Sequence, residues 1–349
     1  MSRRPMTAAS SRPAHVRIRP SLTAAEPEAA APVPDAFLRA DASRRVPLRF
    51  QGDGASMAGH LYRPRGAAST ERTPGIVLCG PIGSVKELVV PHYAERLADA
   101  GYTVLTFDPR GFGGSEGSPR LHHDSHRVVD DYASAVSYLL TRDDVDPARV
   151  AALGVCMGGG HAVSLGARDK RLKAVVAIGG AYDTGGMLQK FMGVDGAAAF
   201  CRSINDILQQ QYVNGDVRYV PAVAPGLSKE VPLAVMPNAE AHGFYTRSQA
   251  DAPTWTNLMT VASIVSLFTY NAVAHAPLVA PTPLMVIHGT RDGTMLPEYA
   301  QQVFEAAVGP KELVWIETQN HVQLYDQEPY VDEATAHAIR WLNQHLGRP

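Results

Sequence analysis

From about residue 45 the chain settles into two alternating hydrophobic patterns. RVPLRFQ and MAGHLYR alternate apolar and polar positions, which predicts a hairpin joined through QGDGAS. PGIVLCG, YTVLTFD, RVAALGV, KAVVAIGG and PLMVIHG are short, continuous apolar runs, the pattern of strands buried on both faces. ELVWIE adds one more strand. ELVVPHYAERLADAG, HRVVDDYASAVSYLLTR, HAVSLGARD, YAQQVFEAAV and TAHAIRWLNQHL carry helical spacing between them. Pro91 falls in the first turn of its helix, where proline is tolerated, and Gly101 is placed to end it. Strands alternating with helices predict a mostly parallel sheet flanked by helices.

The alternation fails twice. Residues 185–275 are too long for a loop and contain TNLMTVASIVSLFTYN, apolar nearly all round a helix, so an inserted helical cap is expected there. It divides the α/β core into 41–184 and 276–349. Residues 1–40 open with an arginine-rich, acid-free stretch and continue Ala/Pro-rich without periodicity, which predicts a disordered tail. That opening lacks the apolar core of a secretory signal.

Composition narrows the function. The chain has 349 residues, 45% of them hydrophobic, enough for one large core. A formal net charge of −2 argues against an electrostatic nucleic-acid binder. No apolar run approaches the roughly 18 residues of a membrane span. Three scattered cysteines, Cys79, Cys156 and Cys201, suit neither a disulfide framework nor a thiolate metal site, and point to a reducing, cytoplasmic setting. No metal or cofactor is expected. LHHDSH, with His122, His123 and His126, looks like a metal cluster but reads better as a polar loop before a helix. GFGGSEG lacks the strand–helix context of a dinucleotide fingerprint. The expected partner is a small acyl substrate, with homo-oligomerisation left open.

The candidate chemistry lies in GVCMGGG. Cys156 follows a buried strand and precedes a helix, with Gly154 and Gly158 two positions away on either side. A nucleophile elbow is a turn so tight that side chains at those positions clash. The helix N-terminus then favours the thiolate. A buried structural thiol is the plain alternative. A nucleophilic cysteine needs a base and a group to orient it. Asp292, in IHGTRDG, and His321, in NHVQLYD, follow in order, each just past the end of a late strand. Asp183, in GGAYD, is a second candidate acid. His161, about one turn beyond Cys156, is expected to be structural.

FDPRGFGGSEG, GVCMGG, IHGTRDG and NHVQLYD together resemble the α/β-hydrolase superfamily, over about residues 45–349. Within it the chain resembles the dienelactone-hydrolase-like branch, where a cysteine can stand on the elbow. The resemblance implies Cys156 as nucleophile, His321 as general base and acid, and Asp292 as the group orienting the imidazole. It also implies two backbone N–H donors for a developing oxyanion, one from Met157 and one from the loop Cys79-Gly80-Pro81-Ile82-Gly83. That loop departs from the family's His-Gly-x: Pro81 has no N–H. Either Ile82 substitutes, or the reaction leans less on an oxyanion. Cys79 stands where the family has histidine, and is read as packing rather than as a redox partner of Cys156. Pro81, Tyr245, Trp255 and Phe268 are candidate walls of an apolar pocket. The leading expectation is cleavage of an ester, lactone or thioester through an acyl-cysteine. Acyl transfer, elimination of a carboxylate such as acetate from an acylated natural-product intermediate, and non-catalytic ligand binding are the alternatives.

Overall fold

The computed structural model describes residues 37–66 and 72–349. Eight strands form the central sheet: β1 (Val46–Gln51), β2 (Ser56–Tyr62), β3 (Thr73–Cys79), β4 (Thr103–Phe107), β5 (Val145–Val155), β6 (Ala174–Ile178), and, after four two-residue strands, β11 (Leu284–Gly289) and β12 (Lys311–Ile316). Their order is β1-β2-β4-β3-β5-β6-β11-β12. β1 and β2 form the antiparallel hairpin, β2 runs antiparallel to β4, and every other pairing in this sheet is parallel. β3, β4, β6 and β11 are buried along their whole length. That is why they read as unbroken apolar runs, whereas β1, at the edge, alternates.

Helices cover both faces. α1 (Val90–Asp99) and α9 (Tyr330–Leu346) pack together on one. α2 (Ser125–Leu140), α3 (Met157–Arg168) and α7 (Pro297–Ala306) cover the other. Pro91 sits in the first turn of α1, as its position predicts. Asp124, the acid of LHHDSH, caps α2 by accepting from the His126 and Arg127 N–H groups (2.9 and 3.2 Å). His122 hydrogen-bonds Thr260 (2.8 Å) and His123 hydrogen-bonds Ser125 (3.2 Å). Among the described residues no cluster of three ligating side chains has metal geometry. No described helix is long and apolar enough to cross a membrane.

Between β6 and β11 the chain forms α4 (Thr184–Asn214), β7 (Tyr219–Val220), β8 (Val223–Ala224), β9 (Met236–Pro237), α5 (Ala239–Ser248), β10 (Met259–Thr260) and α6 (Ala262–Thr269). α4 kinks at Gly193, whose φ of 71° no helix accommodates. Ile204, Val261 and Ile264 form a small core of this segment's own. Phe244, Tyr245, Trp255 and Met259 join the main core instead.

Two expectations need correction. TNLMTVASIVSLFTYN is not one helix: β10 pairs with β7, and α6 covers only Ala262–Thr269. The Thr260 N–H donates to the Leu121 carbonyl (3.0 Å), and its hydroxyl accepts from the Ser263 N–H (3.3 Å), so tertiary pairing holds Thr260 outside the helix. Of the tail predicted over 1–40, residues 1–36 lie outside the described residues. Phe37, however, bridges to Gln327, and the Leu38 N–H donates to the Asp326 carbonyl (2.7 Å).

α2 and α3 enclose a pair of stacked histidines, His123 and His161, with ring centroids 5.5 Å apart. Burial, against a weaker pull from Asp124, depresses His123 to about 4. Burial, with His123 and His126 nearby, holds His161 well below its ordinary value. An unfolded chain takes up these protons near pH 6.5, and the folded one refuses them until lower pH. Stability is therefore lost as pH falls through that window. For His123 the loss by pH 5 is about 2 kcal/mol. The His123→Gln variant is expected to lose about 2 kcal/mol less than the wild type between pH 7 and pH 5, measured by urea denaturation at both.

Candidate active site

β5 runs directly into α3, and Cys156 is the hinge between them. Its φ of 58° and ψ of −123° lie where side-chain-bearing residues rarely go. Backbone hydrogen bonds hold it there. Its N–H donates to the Ile178 carbonyl (2.9 Å), and its carbonyl accepts from the Gly159 and Ala181 N–H groups (2.8 and 3.1 Å). The two flanking glycines are a steric necessity. A Cβ on Gly154 would collide with the Gly158 carbonyl, and one on Gly158 with the Cys79 carbonyl. The Gly158 N–H also donates to the Gly80 carbonyl (3.0 Å), tying the start of α3 to the loop after β3.

The structure brings Asp292 and His321 to this elbow. Asp292 follows β11. Its Oδ1 accepts from the Thr294 and Met295 N–H groups (3.0 and 2.7 Å), which aims Oδ2 at His321 Nδ1 (2.5 Å). Burial alone would depress His321. The Asp292 carboxylate, helped by Cys156, overrides it and holds the imidazole well above its usual range. Burial would likewise raise Asp292, but His321 and then His288 keep it below the usual carboxylate value. With Nδ1 committed to Asp292, Nε2 faces the Tyr325 hydroxyl (3.0 Å), and the Cys156 thiol close by helps to raise His321. All three side chains are about 2% exposed. Asp183, the other candidate acid, caps α4 by accepting from the Gly186 N–H (2.8 Å).

The loop after β3 turns tightly, with the Ser84 N–H donating to the Pro81 carbonyl (3.2 Å). Among the described residues neither the Ile82 nor the Met157 N–H has a partner. The inserted segment grips this loop from outside. The Tyr245 hydroxyl donates to the Ile82 carbonyl (3.2 Å), and the Trp255 indole to the Gly83 carbonyl (3.0 Å). The two rings stack at 4.9 Å. Tyr245 and Trp255 thus hold the loop that carries Pro81, next to the elbow. Phe268 does not: it packs edge-on against Phe200 in the segment's own core (5.7 Å), because α6 faces α4. Two surface cavities, one beside the start of α2 and one on α9, are lined by other residues than Cys156, Asp292 and His321.

His161 lies within α3, fully buried against His123 and Tyr270. Cys79 is a free, buried thiol that burial pushes up to about 12, the Asp131 carboxylate adding to the effect. Sequence reasoning missed Tyr325. Its hydroxyl lies 3.0 Å from His321 Nε2, and burial, with Cys156 nearby, holds its phenol well above the ordinary value. The signal was present in NHVQLYD, where Tyr325 follows His321 by four residues, one helical turn. Arg247 was missed too. It pairs with both oxygens of Asp326 (2.8 and 2.9 Å) and lies over the Phe37 and Phe244 rings, holding α5 against α8 (Gln323–Asp326).

A model of the Hydrolase_4 family, described as serine aminopeptidase, S33, matches residues 86–328, a span that includes the elbow, Asp292 and His321. The chain belongs to that family. Like its structural neighbours, this Hydrolase_4 protein has the α/β-hydrolase fold. It is 27% identical over 274 residues to the thiohydrolase aneE of Aspergillus aculeatus, covering 77% of this chain and 83% of that one. It is 25% identical over 282 residues to the polyketide transferase claH of Penicillium crustosum, covering 80% and 90%. The crystal structure of the hypothetical protein PA2218 from Pseudomonas aeruginosa superposes with a TM-score of 0.74 at 25% identity, covering 89% of this chain and 97% of that one. The family's description names a serine, whereas this Hydrolase_4 chain has a cysteine on the elbow.

Alanine at Gly154 or Gly158 is expected to destabilise the fold by about 3 kcal/mol or more, since backbone atoms block the new methyl. Alanine at Gly243, inside α5 with open space around it, is expected to stabilise by about 0.5–1 kcal/mol. Denaturant midpoints of the three variants check both.

Proposed function

We propose that this protein cleaves an ester, lactone or thioester of a mainly apolar small molecule through an acyl-cysteine intermediate. His321 takes the thiol proton, and the Cys156 sulfur attacks the substrate carbonyl. The resulting oxyanion is held by the Met157 and Ile82 N–H groups, Ile82 standing in for the donor that Pro81 lacks. The imidazolium then protonates the leaving group as the carbon–oxygen or carbon–sulfur bond breaks. Water, deprotonated by His321, releases the acid and returns the thiol. The cysteine on the elbow favours the dienelactone-hydrolase-like branch. The observation that carries this reading is the imidazole held on Asp292 at 2.5 Å beside the elbow cysteine, which helps to raise it.

A second reading keeps the acyl-cysteine but gives the acyl group to an alcohol or amine. The near-complete burial of Cys156 favours it, because a closed site excludes competing water. So does the likeness to a protein named a polyketide transferase.

The test is intact-protein mass spectrometry with p-nitrophenyl butyrate. A butyryl adduct is expected on the wild type and none on Cys156→Ala. Asp292→Asn is expected to slow adduct formation at least about 10²-fold, by releasing the base from its orientation. Clearance by water alone supports hydrolysis, and clearance only on adding an alcohol or amine supports transfer. A wild type that never acquires the adduct overturns both.

A further inference from the structure

Tyr325 occupies a place the proposed reaction leaves unexplained. In a Cys-His-Asp arrangement the base nitrogen faces the nucleophile directly. Here a phenol stands at that junction, 3.0 Å from His321 Nε2 and beside Cys156, whose proximity helps to hold the phenol proton in place. The ring meets the imidazole edge-on at 5.0 Å, and Phe244 presses it edge-on at 5.0 Å. The short helix that carries it is clamped along its length. The Tyr93 hydroxyl donates to the Leu324 carbonyl (2.6 Å), the Leu38 N–H to the Asp326 carbonyl (2.7 Å), and Arg247 pairs with the Asp326 carboxylate. A fully buried phenol needs a polar partner. This one has the base nitrogen itself, with the Cys156 thiol beside it.

We infer that the Tyr325 hydroxyl relays the proton between Cys156 and His321 and is a further catalytic residue, an inference that rests on the acyl-cysteine reading. The Cys156 S–H proton passes to the Tyr325 oxygen as the Tyr325 O–H proton passes to His321 Nε2. One S–H and one O–H bond break, one O–H and one N–H bond form, and no atom changes oxidation state. The products are a thiolate, an imidazolium held by Asp292, and an unchanged tyrosine. In the reverse direction the imidazolium proton enters the phenol as the phenol proton leaves for the departing oxygen or sulfur of the substrate. Burial, reinforced by Cys156 and Tyr245, holds the phenol well above its ordinary pKa, so the relay proton is present at neutral pH.

The experiment measures single-turnover acylation of the wild type and Tyr325→Phe by p-nitrophenyl butyrate, in water and in mixtures with heavy water. The variant removes one oxygen and keeps the ring. Acylation of Tyr325→Phe is expected to be about 10²-fold slower, the low end of what positioned proton transfer contributes. The wild-type rate is expected to curve with deuterium fraction, as two protons moving together require, and the variant's to be linear. A merely structural tyrosine would not change that shape. A Tyr325→Phe rate within about threefold of the wild type, or above it, overturns the relay and leaves the acyl-cysteine reading standing. A linear wild-type dependence does the same and needs no variant, which decides the matter if Tyr325→Phe does not fold. A wild type that forms no adduct at Cys156 overturns both the relay and the reading beneath it.

Discussion

Cys156 adopts a backbone conformation that costs of order 1–3 kcal/mol for a residue with a side chain, and the surrounding structure leaves it no alternative. β5 delivers the residue, β6 receives its N–H through Ile178, and the exit of β6 returns the Ala181 N–H to its carbonyl. α3 can start only because Gly154 and Gly158 let the strand and the helix meet. The same turn lifts the thiol above the sheet at the amino end of a twelve-residue helix. Asp292 and His321 reach it because β11 and β12 lie in register beside β6, so their following loops open at the same rim. The strain at one residue thus sets where every other group of the site has to be.

Much of this was legible from local patterns. The eight strands announced themselves because most are buried on both faces, and a continuous apolar run of strand length between turn residues is what such burial leaves in a chain. The elbow was legible because its geometry forces glycine at two fixed positions. Asp292 and His321 were legible because each sits just past a recognisable strand. The inserted segment was not. Its apolar residues serve two cores, and nothing in the pattern separates Trp255, which faces the main core, from Phe268, which faces α4. TNLMTVASIVSLFTYN shows the same limit: a hydrogen bond from Thr260 to the carbonyl of Leu121, far back in the chain, decides where the helix starts. Tyr325 lay in view, within the same motif as His321, but a tyrosine one turn after a histidine means little until the ring nitrogen it faces is known.

The inserted segment contacts the site at two points that belong to different parts of the core. Through Phe244 and Arg247 it touches the short helix carrying Tyr325. Through Tyr245 and Trp255 it touches the loop after β3. These contacts come from neighbouring residues of α5 and the stretch just after it, so one small element bears on both sides of Cys156.

Tyr245 and Trp255 hold the carbonyls of Ile82 and Gly83, while the Ile82 N–H, on the face of that residue left unpaired, is the one assigned to the substrate. On the proposed reading, a movement of α5 wide enough to admit a molecule also slackens the loop that must steady its charge. Admission and readiness then alternate in one device: a guest too bulky to let those aromatic rings settle back would meet a bare sulfur without its anion cradle. Selectivity would in that case reside in re-closure, exercised after entry and far from any wall that simply measures size.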